Sequence, residues 1–106
     1  MSIAKTPEPP YYAVIFTSLR TEGDHGYHDM GEKMVELAQQ QKGYLGHESV
    51  REGLGITVSY WDSLDAIRNW KMHSEHLLAQ EKGKSTWYHS YKTRICKVER
   101  DYEFGM

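Results

Sequence analysis

Two histidines and one tryptophan in the second half of the chain are the side chains best placed to do chemistry. Trp70 and His73 are three residues apart, and His76 follows three residues later. Residues three apart are neighbours on a helix surface, so Trp70 and His73 can line one wall of a pocket. A positioned imidazole can serve as an acid or a base near neutral pH. His73 and His76 are therefore the predicted catalytic residues, with Trp70 beside them.

The same three residues also have an ordinary explanation. A tryptophan in an apolar helix stripe is most often part of the core, and a flanking histidine is more often a hydrated surface group than a catalyst. On a straight helix His76 points away from the apolar stripe, so it reaches the pocket only if the helix bends. Ser74 is a residue type that often begins a helix, which predicts such a bend near His73.

The histidine spacing does not predict a metal site. His73 and His76 would need a further donor from another element, and no carboxylate or cysteine is evident for that role. The remaining histidines lie in a polar loop and helix start or in predicted strands: His25, His28, His47 and His89. A register shift of one residue would turn His47 or His89 to the other face of a sheet.

Composition excludes several classes of protein. The 106 residues carry a formal net charge of -2, which does not fit a protein that binds nucleic acid or an anionic membrane surface. No apolar run approaches the length of a membrane span, and residues 1–10 lack the pattern of a signal peptide. We therefore expect a cytoplasmic protein. The single cysteine, Cys96, is expected to be a buried, reduced thiol.

The chain pattern predicts one α+β domain of the ferredoxin-like type. Residues 4–10 combine proline with charge, so 1–10 is expected to be a flexible arm and 11–106 the domain. The predicted elements are a strand at 11–20, a helix at about 27–41, a hairpin of strands 44–51 and 56–61, a second helix after Asp62 or Ser63, a polar break at 81–85 and a last strand at 87–100. This βαββαβ order places both helices on one face of an antiparallel sheet.

The other face of that sheet predicts a partner. The first strand is apolar on both of its alternating sides, with Ala13 and Ile15 on one and Val14 and Phe16 on the other. An uncovered apolar sheet face usually marks an interface, and symmetric pairing is its commonest form. A homodimer is therefore expected. Eight tyrosines and three tryptophans beside only two phenylalanines also favour a lined cavity or an interface over an aliphatic core.

The stretch 56–80 resembles the signature region of the antibiotic biosynthesis monooxygenase domain family, within the dimeric α/β-barrel superfamily. The similar elements are a strand ending in Tyr60 and Trp61, the helix start at Asp62 and Ser63, Ala66 and Ile67, the aromatic Trp70, Ser74 and His76, and the upstream segment 43–48. The likeness covers roughly 11–100 and is greatest to small uncharacterised bacterial members. It implies a homodimeric α/β barrel with a pocket between the sheet and the helices of each subunit.

The resemblance implies three possible activities: oxygen insertion into phenolic or quinol-like substrates without metal or flavin, haem breakdown, or no catalysis. Oxygenation without a cofactor needs an apolar pocket and a base or donor that stabilises a substrate anion. The chain offers His73 or His76 for the second role and, for the lining, Phe16, Tyr60, Trp61, Trp70 and Trp87. The leading hypothesis is a monooxygenase-like protein for a small aromatic or quinone-type molecule. The alternative is a non-catalytic dimeric binding or stress-related protein.

Haem degradation matches the sequence less well. The haem-degrading branch of the superfamily uses an asparagine on the first strand and a histidine ten residues after a helix tryptophan. Trp70 fits that tryptophan, but Gln80 stands ten residues later, and Asn69 is the only asparagine in the chain. Glutamine has no ring nitrogen to offer the iron.

Overall fold

The computed structural model describes residues 2–80 and 83–106, with side-chain surroundings for all of them except 79, 80, 83 and 84. The elements are β1 (Tyr11–Arg20), α1 (Tyr27–Gln39), β2 (Tyr44–Glu52), β3 (Leu54–Trp61), α2 (Leu64–Gln80), the short α3 (Gly83–Trp87) and β4 (Tyr88–Val98). All neighbouring strands are antiparallel, in the order β2-β3-β1-β4. The predicted ferredoxin-like α+β fold is confirmed.

Strand register assigns each sheet residue to one of two faces. Val14 of β1 pairs with Ser59 of β3 and with Ile95 of β4, so these side chains point to the same side. Val14 packs in a cluster with residues of both α1 and α2. We call this side the helix face and the other side the open face.

The helices pack on the sheet through two separate apolar clusters. The first cluster is Val14, Ala38, Trp61, Ala66 and Ile67, with Tyr12, Tyr44 and Trp70 packed against it. The second cluster is Met30, Leu78 and Trp87, with Tyr27, Met34, Leu77 and Tyr88 packed against it. The end of α1 and the start of α2 thus lie over one part of the sheet, and their opposite ends lie over another.

The connection between α1 and β2 depends on a glycine. Gly43 has φ +91°, and a Cβ there would lie 2.6 Å from the Cβ of Ala66 and closer still to the Asp62 carboxylate. Its carbonyl accepts a hydrogen bond from the Asp62 backbone N–H at 2.8 Å. Only glycine combines this backbone angle with such close packing. The turn therefore fixes the start of α2 against the start of β2.

Three local predictions are wrong. The bend near His73 does not form, because α2 runs unbroken from Leu64 to Gln80 and the Ser74 hydroxyl donates to the Lys71 carbonyl within the helix at 3.1 Å. Trp87 ends a helical turn instead of starting the last strand. Cys96 is exposed in the isolated chain, because it lies on the open face of the edge strand β4. Glu81 and Lys82, in the predicted polar break, lie outside the described residues.

The open face carries apolar side chains and is partly crossed by the start of the chain. Ile15 pairs with Val58 at its centre, and Leu19 and Leu54 lie near one end, 44% and 48% exposed. In the predicted arm, the Ala4 backbone N–H donates to Glu48 at 2.9 Å. Within the described part of the chain, no helix is long and apolar enough to cross a membrane.

Candidate functional site

The predicted aromatic pair Trp61 and Trp70 is packed in the first cluster. Trp61 is 0% exposed and stacks on Trp70 with ring centres 5.8 Å apart. Tyr44 meets the Trp61 ring edge-on at 5.5 Å, and the Trp61 indole N–H donates to the Ser59 hydroxyl at 2.9 Å. These contacts place Trp61 in the core, and the half-buried ring of Trp70 covers it.

The predicted catalytic histidines lie on the outer surface of α2. His73 and His76 are both exposed. Ser74 instead lies on the same side of α2 as Trp70 and Leu77, because it follows Trp70 by four residues and precedes Leu77 by three. It is half buried. In this unbroken helix the side chain that faces inward between the two clusters is therefore Ser74.

The other predicted lining residues fall into three separate places. Tyr60 lies on the open face, opposite to Trp61, and its hydroxyl donates to Glu48 at 2.7 Å. Burial and the nearby Glu48 carboxylate raise the pKa of Tyr60. Trp87 is buried in the second cluster and donates its indole N–H to the His25 carbonyl at 2.8 Å. Phe16 alone of the five is on the helix face between the two clusters.

The helix face between the clusters is lined by polar side chains. We call this set the polar band; it comprises His47 and Ser49 of β2 with Thr57 and Ser59 of β3. Ser49 and Thr57 form a hydroxyl–hydroxyl hydrogen bond of 2.8 Å, and the His47 Nδ1 lies 2.5 Å from the Tyr44 hydroxyl. The sheet face that packs on helices is normally apolar, so half-buried polar side chains on it are typical of a ligand-binding surface.

His47 differs from the other five histidines, which are all exposed, because it is half buried on the helix face. Burial raises the pKa of Tyr44, so its hydroxyl keeps its proton at neutral pH and can donate to His47 Nδ1. In that arrangement the neutral ring carries its proton on Nε2. His47 can then donate a hydrogen bond from Nε2 to a ligand oxygen.

Next to Phe16 lies a group of tyrosines and arginines that the sequence did not predict. The Phe16 ring contacts Tyr88 at 5.5 Å and Tyr91 at 5.1 Å, and Tyr27 meets Tyr88 edge-on at 5.7 Å. The guanidinium carbon of Arg20 lies 3.5 Å from the centre of the Tyr27 ring. We call Arg20, Tyr27, Arg51 and Tyr88 the tyrosine–arginine cluster.

Arg51 reaches this cluster from the far edge strand. It pairs with Gly55 across the hairpin and donates through Nη1 to the Ser18 carbonyl at 3.3 Å and through Nη2 to the Ser18 hydroxyl at 2.5 Å. A Cβ at Gly55 would lie 2.7 Å from the Arg51 Nε. Arg51 therefore lies flat across β3 because residue 55 has no side chain. Its guanidinium carbon is 5.9 Å from the Tyr27 ring centre.

The electrostatics of the cluster act on Tyr88. Burial raises its pKa most, the hydrogen bond with Tyr27 raises it further, and the charges of Arg51 and Arg20 oppose the rise. The net effect leaves Tyr88 a neutral phenol at physiological pH, with its one O–H donated to Tyr27. The guanidinium donors beside these rings suit a ligand that carries oxygen atoms with negative charge.

A groove lies beside this cluster. An open groove of about 250 Å³ at the end of the sheet is lined by Thr17, Ser18, Leu19, Leu54, Ser90, Tyr91 and Lys92. Ser18 and Tyr91 belong to the helix face and the others to the open face or its edge. Among residues 2–80 and 83–106, no three histidine, cysteine or acidic side chains converge to hold a metal ion.

Comparison with known proteins fits this architecture. A profile of the family described as antibiotic biosynthesis monooxygenase matches residues 10–82. The uncharacterized protein YqjZ of Bacillus subtilis is 60% identical over 104 residues, which are 96% of this chain and 91% of that protein.

Two solved structures show the same fold at low sequence identity. SnoaB, a cofactor-independent oxygenase from Streptomyces nogalater, superposes with a TM-score of 0.71 at 10% identity, over 88% of this chain and 97% of that one. PA3566 from Pseudomonas aeruginosa superposes with a TM-score of 0.67 at 16% identity, over 91% of this chain and 99% of that one. On the extent of the profile match and the identity to YqjZ, the chain belongs to the antibiotic biosynthesis monooxygenase family.

Proposed function

We propose that the protein binds a small aromatic or quinone-type molecule on the helix face of its sheet, between the two apolar clusters, and oxygenates it. The observation that carries the proposal is the polar band on the helix face, in which only Ser49 is exposed, with the half-buried ring of Phe16 beside it. An aromatic surface with a few polar groups orients a flat, oxygen-bearing ligand. The similarity in fold to SnoaB, a cofactor-independent oxygenase, supports the choice of chemistry.

The reaction needs no external reductant if the substrate is a hydroquinone. A naphthohydroquinone, C10H8O2, reacts with O2 to give a hydroxynaphthoquinone, C10H6O3, and water. One oxygen atom enters the ring and the other leaves as water, and all four electrons come from the substrate. The protein has to stabilise the hydroquinone anion that reacts with oxygen, by a base or by hydrogen-bond donors. His47 is a candidate donor from within the cleft, and His73 and His76 are candidate bases at its outer side.

Oxygen uptake with 1,4-naphthohydroquinone tests this proposal. The matched variants are Phe16→Leu, which removes the ring but keeps an apolar side chain, and Val35→Leu on the exposed side of α1. We expect uptake above the rate without protein, a loss of at least about tenfold in Phe16→Leu because aromatic contacts contribute to binding, and no loss in Val35→Leu. Uptake equal to the protein-free rate would refute the oxygenase.

A non-catalytic binding protein, including a stress-related one, is the second candidate. The packing of Trp70 on the core residue Trp61 and the exposure of His73 and His76 favour it, since neither histidine is buried beside Trp70. A thermal-shift titration with 1-naphthol separates the candidates, because binding to the native state raises Tm without any turnover. Binding without oxygen uptake supports the second candidate, and absence of both refutes the two together.

We further propose that two copies of the chain pair through their open faces. The apolar centre of that face, with Ile15 against Val58, supports this. Sedimentation at micromolar concentration is expected to give about twice the 12.4 kDa chain mass. Val58→Lys is expected to shift the protein to monomer, whereas Val35→Lys on α1 is not. A wild type that sediments as a monomer would refute the interface.

A further inference from the structure

We propose that the tyrosine–arginine cluster is a subsite for the carboxylate of an aromatic acid, so that the ligand of the proposed function carries a negative charge. The inference rests on the proposed binding of an aromatic molecule to the helix face. The inference adds that this molecule carries a carboxylate, which Arg20 and Arg51 bind. Phe16, Tyr27 and Tyr88 supply the aromatic surface next to these charges.

The first reason is that two guanidinium groups lie near one tyrosine ring, and neither has a carboxylate partner among the described residues. The guanidinium carbons of Arg20 and Arg51 lie 3.5 Å and 5.9 Å from the centre of one ring, that of Tyr27. In the part of the chain that the structure describes, no carboxylate lies within 4.0 Å of either guanidinium. An anion bound by both guanidinium groups would offset their like charges, an effect that solvent screens in part at exposed Arg51.

The second reason is that each guanidinium has donors to spare. Arg20 donates through Nε to the Trp87 carbonyl at 2.9 Å and through Nη2 to the carbonyls of Gly23 and Asp24 at 3.1 and 3.4 Å. Its Nη1 has no acceptor among the described residues. Arg51 bonds only to the carbonyl and hydroxyl of Ser18, so three of its five N–H groups are free of described protein acceptors.

The third reason is that both side chains are held in place before any ligand arrives. Three backbone carbonyls and the Tyr27 ring fix Arg20. Arg51 is fixed by Ser18 and by the space that Gly55 leaves over β3. Preorganised guanidinium groups bind a planar carboxylate in a two-point contact at low entropic cost.

The test compares two probes with the same ring system, 1-hydroxy-2-naphthoate and 1-naphthol, by fluorescence titration of the full chain. The variants are Arg51→Gln, which removes the charge, and Gly55→Ala, which displaces Arg51 without changing any charge. Arg68→Gln is the matched control, because Arg68 is an exposed arginine on α2 that pairs with Asp65. It lowers the net charge by the same amount away from the cluster.

Wild type is expected to bind the naphthoate about 10- to 100-fold more tightly than 1-naphthol, because charge-assisted hydrogen bonds add to ring binding. Arg51→Gln is expected to abolish most of that preference, Gly55→Ala to reduce it, and Arg68→Gln to keep it. If Arg51→Gln does not fold, Arg51→Lys replaces it; that variant keeps the charge but loses the two-point contact, so a reduced preference is expected.

Two results would overturn the subsite. If wild type binds both probes equally well, or if Arg51→Gln and Gly55→Ala both keep the full preference, the cluster does not recognise carboxylate, while aromatic binding stands. If wild type binds neither probe, the subsite and the proposed function fail together.

Discussion

Replacing Gly43 by alanine is expected to destabilise the protein much more than replacing Gly53. Both glycines have positive φ, +91° at Gly43 and +78° at Gly53, so alanine at either position incurs the backbone penalty of about 1 to 2 kcal/mol. At Gly53 an added Cβ meets nothing within 4 Å. At Gly43 it collides with Ala66 and Asp62, whose backbone positions are fixed by the start of α2. Overpacking of that kind costs about 1 to 3 kcal/mol more.

The expected totals are therefore about 2 to 5 kcal/mol for Gly43→Ala and about 1 to 2 kcal/mol for Gly53→Ala. The difference corresponds to roughly 5 to 20 °C in Tm for a domain of this size. Urea unfolding followed by tryptophan fluorescence measures it directly, since Trp61 is buried within the same cluster as Ala66. Both variants are compared at one protein concentration, because self-association would make stability concentration-dependent. Equal losses in the two variants would refute the steric account of the Gly43 turn.

Three further predictions concern Trp70, Tyr60 and haem. Trp70→Ala is expected to lower the free energy of unfolding in urea by about 3 kcal/mol, because it uncovers Trp61. His76→Ala, at an exposed position, should change Tm by less than about 2 °C. A His76→Ala variant as unstable as Trp70→Ala would contradict the packing. The pKa of Tyr60 is raised in the folded state, so its contribution to stability is complete below about pH 10 and falls as the pH rises above that value. The difference in free energy of unfolding between wild type and Tyr60→Phe should therefore narrow above pH 10. A constant difference would contradict the raised pKa. Haemin with a reductant should keep its Soret band apart from non-specific loss, since Gln80 stands where the haem-degrading pattern needs histidine, and protein-dependent bilin formation would overturn this.

The fold could be predicted because its signals are periodic. Strand β1 has apolar residues on both alternating faces, and α2 repeats its apolar residues at helical spacing, so both elements were recognisable from sequence. The predicted bend at Ser74 was wrong because a local capping signal competed with packing on both sides of it. Trp70 is anchored in one cluster and Leu77 in the other, and a straight helix satisfies both. The exposure of Cys96 could not be predicted from alternation, which assigns a residue to a sheet face and does not say what covers that face.

The candidate site was harder to predict because it depends on register and on contacts between strands. The register of β2 against β3 shifts between Tyr44 and Gly46, and this shift decides that His47 lies on the helix face. Gly46 itself was the available signal, because an isolated glycine within a strand often marks a bulge, but it does not give the direction of the register shift. The approach of Arg51 to Ser18 requires knowing that Gly55 is its cross-strand partner. A glycine opposite an arginine in a predicted hairpin was the available signal.

The division of the apolar packing has a consequence for the way the native state opens. Each helix is anchored at one end in the first cluster and at the other end in the second, and the polar band between them contributes few apolar contacts. Segments with few buried apolar contacts open at low free energy, so the two helix ends can undergo local unfolding in separate steps. A ligand seated over the band would contact both halves and join them into one cooperative unit. Amide hydrogen exchange near Met34 and Ser74 would then slow on binding, even where the average structure does not change.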